Sequence, residues 1–440
     1  MLQLCVARSV APIFFLNKRS SMPFSSFGLS PALLLAVADK AYSRPTPVQL
    51  AALPAALQGR DVLASAQTGS GKTVAFALPL LQRLEQLAPG TPRLLRALVL
   101  VPTRELAAQV GEEIRSLGAH LSPPLKVSIV FGGVSINPQM LRLRGGTDIM
   151  VATPGRLIDL LEHNALTLAN VAMLVLDEAD RLFDLGFAEE LSRILALLPA
   201  QRQNLFFSAT FPPAVQTLAQ TLLRDPVRVT VGPEPETAPD IVQRAIEVDV
   251  GRRTQLLLHL IKQNHWSRVL VFVATKHAAE MVADKLRKGR INAEPFHGNL
   301  SQGKRTQVLA DFKASRLKVV IATDVAARGL DIAQLPVVVN YDLPRSALDY
   351  THRIGRTGRA GERGIAVSFV SAESAAHLRL IEKSHGLSLL REQVAGFEPT
   401  PSDPATELGV DTSGNGGIKG RRPSKKDKLR AAAVAIQTRR

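Results

Sequence analysis

Two short segments combine residue types suited to phosphate chemistry. Ala66-Gln67-Thr68-Gly69-Ser70-Gly71-Lys72-Thr73 places two glycines, a lysine and a hydroxyl at the spacing of a phosphate-wrapping loop. Glycines let backbone N–H groups approach phosphate oxygens, the lysine reaches the β and γ phosphates, and the following hydroxyl is a hard ligand for Mg2+. Ala66 stands where the general pattern has its first glycine. Farther along, Asp177-Glu178-Ala179-Asp180 sets three carboxylates within four positions. Asp177 is the expected Mg2+ ligand, directly or through water, and Glu178 the base that positions or deprotonates the attacking water. Acids at a helix start often do no more than complement its dipole. With a phosphate loop upstream the catalytic reading is the stronger one, and it implies hydrolysis of ATP or GTP.

Both segments need elements that hold them. Val62 to Ser65 is an apolar run directly before the glycine-rich loop, and helical apolar spacing begins at Val74. The loop therefore lies between a strand and the positive end of a helix dipole. Val171 to Leu176 is an apolar strand that ends at Asp177, and open parallel sheets bind ligands at the carboxyl ends of their strands. Further strands are expected at 97–101, 128–131, 149–152 and 204–207, alternating with helical periodicity, and a second such block has strands near 269–273, 319–322, 337–341 and 365–370. The fold class that follows is α/β, with two tandem parallel-sheet domains. The segmentation reads as a leader 1–22, a first domain 23–231, a proline-dense linker 232–240, a second domain 241–392, and a basic tail 393–440 whose composition predicts disorder. Met22 reads as the native start, the residues before it as a start-site artefact.

Of 440 residues, 46% are apolar and 21% charged, enough to bury sizeable cores. No apolar run nears the roughly 18 residues of a membrane span. A lone cysteine, Cys5, excludes disulfides within the chain and cysteine metal clusters, and fits a reducing, cytoplasmic compartment. The net charge of +16 suggests a polyanionic partner, nucleic acid above all. It is unevenly spread: residues 1–23 carry +3 and residues 419–440 carry +8, which leaves +5 for 24–418. The tail is thus expected to act as a nonspecific tether. Aromatics make up only 5%, with no string of stacking side chains, so contacts to the nucleic-acid backbone are expected to dominate.

Read together and in order, these segments resemble the DEAD-box RNA helicases of superfamily 2. Pro45-Thr46-Pro47-Val48-Gln49 resembles the family's Q motif. The resemblance implies that Tyr42 stacks on adenine, with Phe24 the isolated upstream aromatic, and that Gln49 reads the adenine edge and so selects ATP. Pro102-Thr103-Arg104, Gly132-Gly133 and Thr153-Pro154-Gly155-Arg156 resemble the RNA-backbone contacts of the first domain. Ser208-Ala209-Thr210 resembles the motif that couples hydrolysis to strand separation, with Asp180 as its counterpart. In the second block, Thr323 and Gly329 match residues beside RNA and Asp331 one beside the ATP ribose. His352-Arg353-Ile354-Gly355-Arg356-Thr357-Gly358-Arg359 resembles motif VI, which makes Arg356 and Arg359 the transition-state arginines and His352 a link between the two sites.

The resemblance spans residues 24 to 385, and 24–49 with 131–161 look most like the bacterial RhlE-type members. It implies two RecA-like domains, ATP and Mg2+ as cofactors, RNA as partner, and non-processive unwinding or RNP remodelling. It also admits ribosome-assembly or RNA-decay proteins as partners. Two rivals remain at this point, a DNA helicase or translocase of the same superfamily and a catalytically minor RNA clamp. Gln49 with Tyr42 argues against the first, and Lys72 with Glu178 against the second.

Overall fold

Strands covered by helices on both faces must be apolar at every position rather than at alternate ones. The central strands of this chain are buried in that way throughout. The structure is a computed structural model that describes residues 22–66, 69–87, 93–231, 241–327, 335–358 and 363–400. The expected leader (save Met22), linker and most of the tail lie outside the described residues, as do Gln67, Thr68, Gly329, Asp331 and Arg359.

The chain divides into two units. The first contains β1 (Val62–Ser65), β2 (Ala97–Leu100), β3 (Val127–Val130), β4 (Ile149–Ala152), β5 (Met173–Leu176), β6 (Gln203–Ser208) and β7 (Val227–Thr230). They form one parallel sheet in the order β3-β4-β2-β5-β6-β1-β7. On one face Val99, Val175 and Phe207 pack under the helices Pro47–Leu57, Lys72–Glu85 and Arg104–Leu117. On the other, Leu98, Leu174 and Phe206 pack against Pro154–Glu162, Ala188–Ala196 and Pro213–Leu222.

The second unit repeats the plan. Its strands are β8 (Ile241–Glu247), β9 (Val269–Val273), β10 (Ala293–Phe296), β11 (Val319–Thr323), β12 (Val337–Asn340), β13 (Gly364–Val370) and β14 (Arg391–Glu392). They lie parallel in the order β10-β11-β9-β12-β13-β8-β14. Val269, Val271, Ile321 and Val339 form its core with the helices Arg253–Gln263 and Lys276–Lys288 and with Trp266.

Four of these strands, β7, β8, β10 and β14, are not among those expected from apolar runs. Three of them lie at sheet edges and the fourth, β8, next to one, where burial is incomplete and polar residues are tolerated. β10 even contains Pro295, which an edge strand accommodates because one of its sides needs no ladder donor. Among the described residues no helix is long and apolar enough to cross a membrane.

The strand order decides which loops become neighbours. In the first unit the carboxyl ends of β5, β6 and β1 lie side by side, and those of β3, β4 and β2 form the other half of the same edge. The phosphate loop, the acidic run and Ser208-Ala209-Thr210 follow the first three strands. The three segments read as backbone contacts follow the second three.

Candidate nucleotide site and backbone-contact loops

The helix after β1 begins at Lys72, two residues before the apolar spacing starts, so Lys72 and Thr73 form its first turn. Its N-cap is Gly71, whose φ of 91° suits glycine and strains any other residue. A Cβ there would also stand 2.5 Å from Gln49 Nε2 and 2.8 Å from Thr46 Oγ1. The Q-motif segment is therefore packed directly onto the phosphate loop. Gln49 Nε2 donates to Gly71 O at 3.0 Å, and Gln49 Oε1 accepts from Thr46 N at 2.9 Å in a capping box at the start of Pro47–Leu57. In this arrangement the Gln49 amide braces the loop. The Thr-x-x-Gln spacing is itself a capping-box signal that the sequence displays.

Lys72 is buried, and its ammonium donates to Ala66 O at 3.1 Å. Asp177, Glu178 and Asp180 are each no more than 4% exposed. Burial raises the Asp177 carboxyl from 3.8 to about 6; nearby Lys72 pulls it down, and Glu178 adds to the rise. Asp177 Oδ1 accepts from Glu178 N at 2.9 Å. Glu178 has φ 50° and ψ 52°, a left-handed conformation that a glutamate holds only when its surroundings enforce it. Arg181 Nε lies 3.5 Å from Glu178 Oε2, one helical turn on. That arginine was not among the candidates, although the i, i+3 spacing is visible in the sequence.

Asp180 faces the other way along the edge. Its Oδ2 accepts from Thr210 N at 3.0 Å and from Thr210 Oγ1 at 2.8 Å. Ser208 Oγ accepts from Asp180 N at 3.2 Å and donates to Thr210 O at 2.7 Å. Ser208-Ala209-Thr210 does not cap the next helix, because Pro213–Leu222 is capped at Pro212 and Thr210 is spent on Asp180.

Of the aromatics, Tyr42 is half-buried and donates its hydroxyl to Glu113 Oε1 at 2.8 Å. Phe24 is buried in the first core cluster. In this structure it is a packing residue.

In the other half of the edge, Thr103 caps the helix Arg104–Leu117 by accepting from Leu106 N at 3.2 Å. Arg104 lies over Gly133, where a Cβ would fall 1.9 Å from its Nη2; Gly132 has open space at the same point. Pro102 follows β2 by two residues, Thr153 occupies the N-cap position of Pro154–Glu162, and Gly155 is open within its first turn. Arg156 has partners within the unit. It is 6% exposed, and it donates through Nη2 to Val134 O at 2.7 Å and through Nε to Asp159 Oδ2 at 3.3 Å, so it holds the loop after β3 in place.

In the second unit Thr323 is the buried last residue of β11. Half-buried His352 lies on the helix Ala347–Ile354, and buried Arg356 follows it. Arg353, to which the motif assigns no role, lies between them. That guanidinium is buried and clamps Asp324 through Nε (2.6 Å) and Nη2 (2.7 Å), with Asn340 Oδ1 and Asp342 O as further acceptors. It ties the motif that holds His352 to the residue directly after Thr323. A groove of about 520 Å3 between Pro213–Leu222 and β1–β7 holds none of these candidate groups and is no part of the site.

A phosphate loop after β1 and an acidic run after β5, parallel strands of one sheet with β6 between them, define a P-loop nucleoside-triphosphatase, and comparison with known proteins narrows the class. Residues 46–218 match the DEAD/DEAH box helicase family model, and residues 252–361 match the helicase conserved C-terminal domain. The chain is 41% identical over 398 residues to DEAD-box ATP-dependent RNA helicase 30 of Arabidopsis thaliana, covering 89% of this chain and 66% of that protein. It is 41% identical over 388 residues to the ATP-dependent RNA helicase DeaD of Mycobacterium tuberculosis, covering 88% and 67%. The chain thus spans about two thirds of the length of these relatives. The structure of S. cerevisiae Dbp5 bound to RNA and ADP BeF3 superposes with a TM-score of 0.74 at 30% identity, covering 88% of this chain and 97% of that one. The chain belongs to the DEAD-box family of ATP-dependent RNA helicases, and its two seven-stranded parallel sheets are tandem RecA-like domains.

Proposed function

We propose that this chain couples ATP binding and hydrolysis to local, non-processive separation of RNA strands or remodelling of RNA–protein complexes. The observation that carries the reading is the pair of bonds from Thr210 to Asp180 Oδ2. They join the acidic run beside the phosphate loop to the segment after β6, so a change at Asp177 and Glu178 reaches that segment through three residues.

In this reading the backbone of residues 66–73 and Lys72 hold the triphosphate, and Gln49 keeps Gly71 in place beneath it. Thr73 and Asp177 offer a hydroxyl and a buried carboxylate that is ionised at neutral pH, the oxygen donors that suit Mg2+. That ion would neutralise charge on the phosphates. Glu178 orients and deprotonates the attacking water. Arg356 and Arg359 of the second unit stabilise transition-state charge. Arg104, Gly132, Gly133, Thr153 and Thr323 meet RNA through its backbone. The segmentation into two domains, linker and tail, the RhlE-type subgroup, a cytoplasmic location and partners in ribosome assembly or RNA decay are the finer parts of the same reading.

Glu178→Gln keeps size and hydrogen bonding while removing the base. RNA-stimulated ATP turnover should fall by about 100-fold or more, with RNA binding in the presence of ATP retained. Unchanged turnover would remove Glu178 from the mechanism. Equal stimulation by DNA of the same sequence would instead favour a DNA translocase.

A further inference from the structure

The +5 carried by residues 24–418 hides a strongly polarised surface. Residues 262–318 hold twelve Lys and Arg against four acids, more positive charge than the whole 24–418 segment shows net. The fold gathers most of it at one place. In a parallel sheet each helix returns the chain to the amino end of the next strand, so the carboxyl ends of Arg253–Gln263, Lys276–Lys288 and Gln302–Lys313 all lie at the starts of β9, β10 and β11. The loops there are joined side by side. Val269 N donates to Lys318 O at 2.9 Å, Val319 N to Asn292 O at 3.0 Å, and Asn292 Nδ2 to Arg316 O at 2.7 Å.

Lys262, Lys285, Arg287, Lys288 and Lys313 occupy the last turns of those helices, where cations ordinarily complement the dipole. The dipole does not account for Arg268, Arg290, Arg316 and Lys318, which lie in the connecting loops. Two acids share this end, Asp284 beside Lys288 and Asp311 beside Arg316, so cations outnumber acids nine to two. Glu280 and Glu294 are paired elsewhere, with His297 and Lys304.

This end of β10-β11-β9 is opposite the one that carries Thr323. Five residues of strand separate the two, about 17 Å. We propose that the amino edge of the second sheet is an additional RNA-binding surface. It takes the sugar–phosphate backbone of RNA that extends beyond the motif-bearing edge, without reading sequence. The basic tail 419–440 is excluded as its occupant by like charge, and RNA is the polyanion that the proposed function already brings to this molecule. The inference rests on that function, and the test keeps the two apart.

In the full-length protein, Lys285→Gln, Lys288→Gln, Arg290→Gln and Lys313→Gln are combined; all four side chains are exposed and none belongs to the ATP or motif-bearing site. Affinity is measured for RNAs of about 10 and about 40 nucleotides across a salt series. Binding of the long RNA should weaken about tenfold near 0.1 M salt, and its salt slope should fall by about 2–3, as loss of three or four phosphate contacts requires. Binding of the short RNA, and ATP turnover saturated with it, should stay within twofold. Loss of short-RNA stimulation as well would count against the proposal and point to damage of the motif-bearing edge. Unchanged binding of both RNAs would overturn it in favour of an acidic protein partner. Photocrosslinking of the unaltered protein with thiouridine placed in the extension of the long RNA gives an answer that does not depend on how the variant folds. Adducts should map to residues 285–318, and adducts confined to the segments around Arg104, Thr153 and Thr323 would refute it.

Discussion

Asp177 shows what a buried carboxylate costs the fold that carries it. Burial lifts its carboxyl from 3.8 to about 6, so between roughly pH 4 and 6 the native chain holds a proton that the unfolded chain has lost. Stability from this group therefore rises as pH falls through about 6, and at neutral pH the ionised carboxylate works against the fold. Asp177→Asn removes that charge and keeps an oxygen to accept from Glu178 N. Two pKa units correspond to about 3 kcal/mol. Because Lys72 loses a counter-charge, a gain of about 1–2 kcal/mol is expected, a few degrees in melting temperature for the nucleotide-free and Mg2+-free protein at pH 7.5. The gain should shrink as pH falls through about 6 and be gone near pH 4. A melting series over pH checks it, and a variant less stable than the parent at neutral pH would mean that the Lys72 pairing outweighs burial. The same substitution should weaken Mg2+-dependent ATP binding.

At the scale of elements, the contacts worth testing are those that close approach of loops imposes. Gly133 has φ 74°, and a Cβ there would displace the Arg104 guanidinium; its neighbour Gly132 meets neither constraint. Gly133→Ala should cost about 1–2 kcal/mol of stability through its left-handed backbone and raise the RNA concentration for half-maximal ATPase severalfold. Gly132→Ala should do neither. Titration of ATPase against RNA separates the pair, and equal behaviour of the two would remove Arg104 from the RNA surface. Spacing along the chain revealed the strands that position chemistry, because β1 to β6 and β11 are apolar runs that lead into a motif. It did not reveal β7, β8, β10 and β14, since strands at or beside a sheet edge carry polar residues and their pairing depends on partners far away in sequence. The same limit explains Arg353 and Arg156. Motif position marked both as ordinary members of a segment, whereas their roles as an Asp324 clamp and a brace on Val134 O arise from contacts 29 and 22 residues away. Gln49 was read for the nucleotide, and the structure adds its grip on Gly71, a contact no periodicity contains.

For the whole molecule, charge is the property that two tandem domains and a tail distribute rather than share. A net +16 on the full chain has two main carriers with different reach, the tail at +8 and the basic stretch 262–318 at +8, while the +3 of residues 1–23 is offset by -3 over the rest of 24–418. A tail that serves as a nonspecific tether acts on RNA of any length. A fixed patch at one sheet edge responds only to RNA long enough to extend to it. Deletion of residues 419–440 should accordingly weaken short and long RNAs alike, by about tenfold near 0.1 M salt, and lower the salt slope by about 3 if four phosphates are released. ATP turnover at saturating RNA should change less than twofold, because Lys72, Asp177, Glu178 and Arg356 all lie outside the deleted residues. Filter binding across salt, with turnover measured on the same preparations, separates the two carriers: the tail deletion moves both RNA lengths together, and the quadruple glutamine variant moves only the long one. A large fall in saturated turnover on deletion would make the tail part of the hydrolytic cycle, and an unchanged salt slope would leave its nine cations without an RNA role.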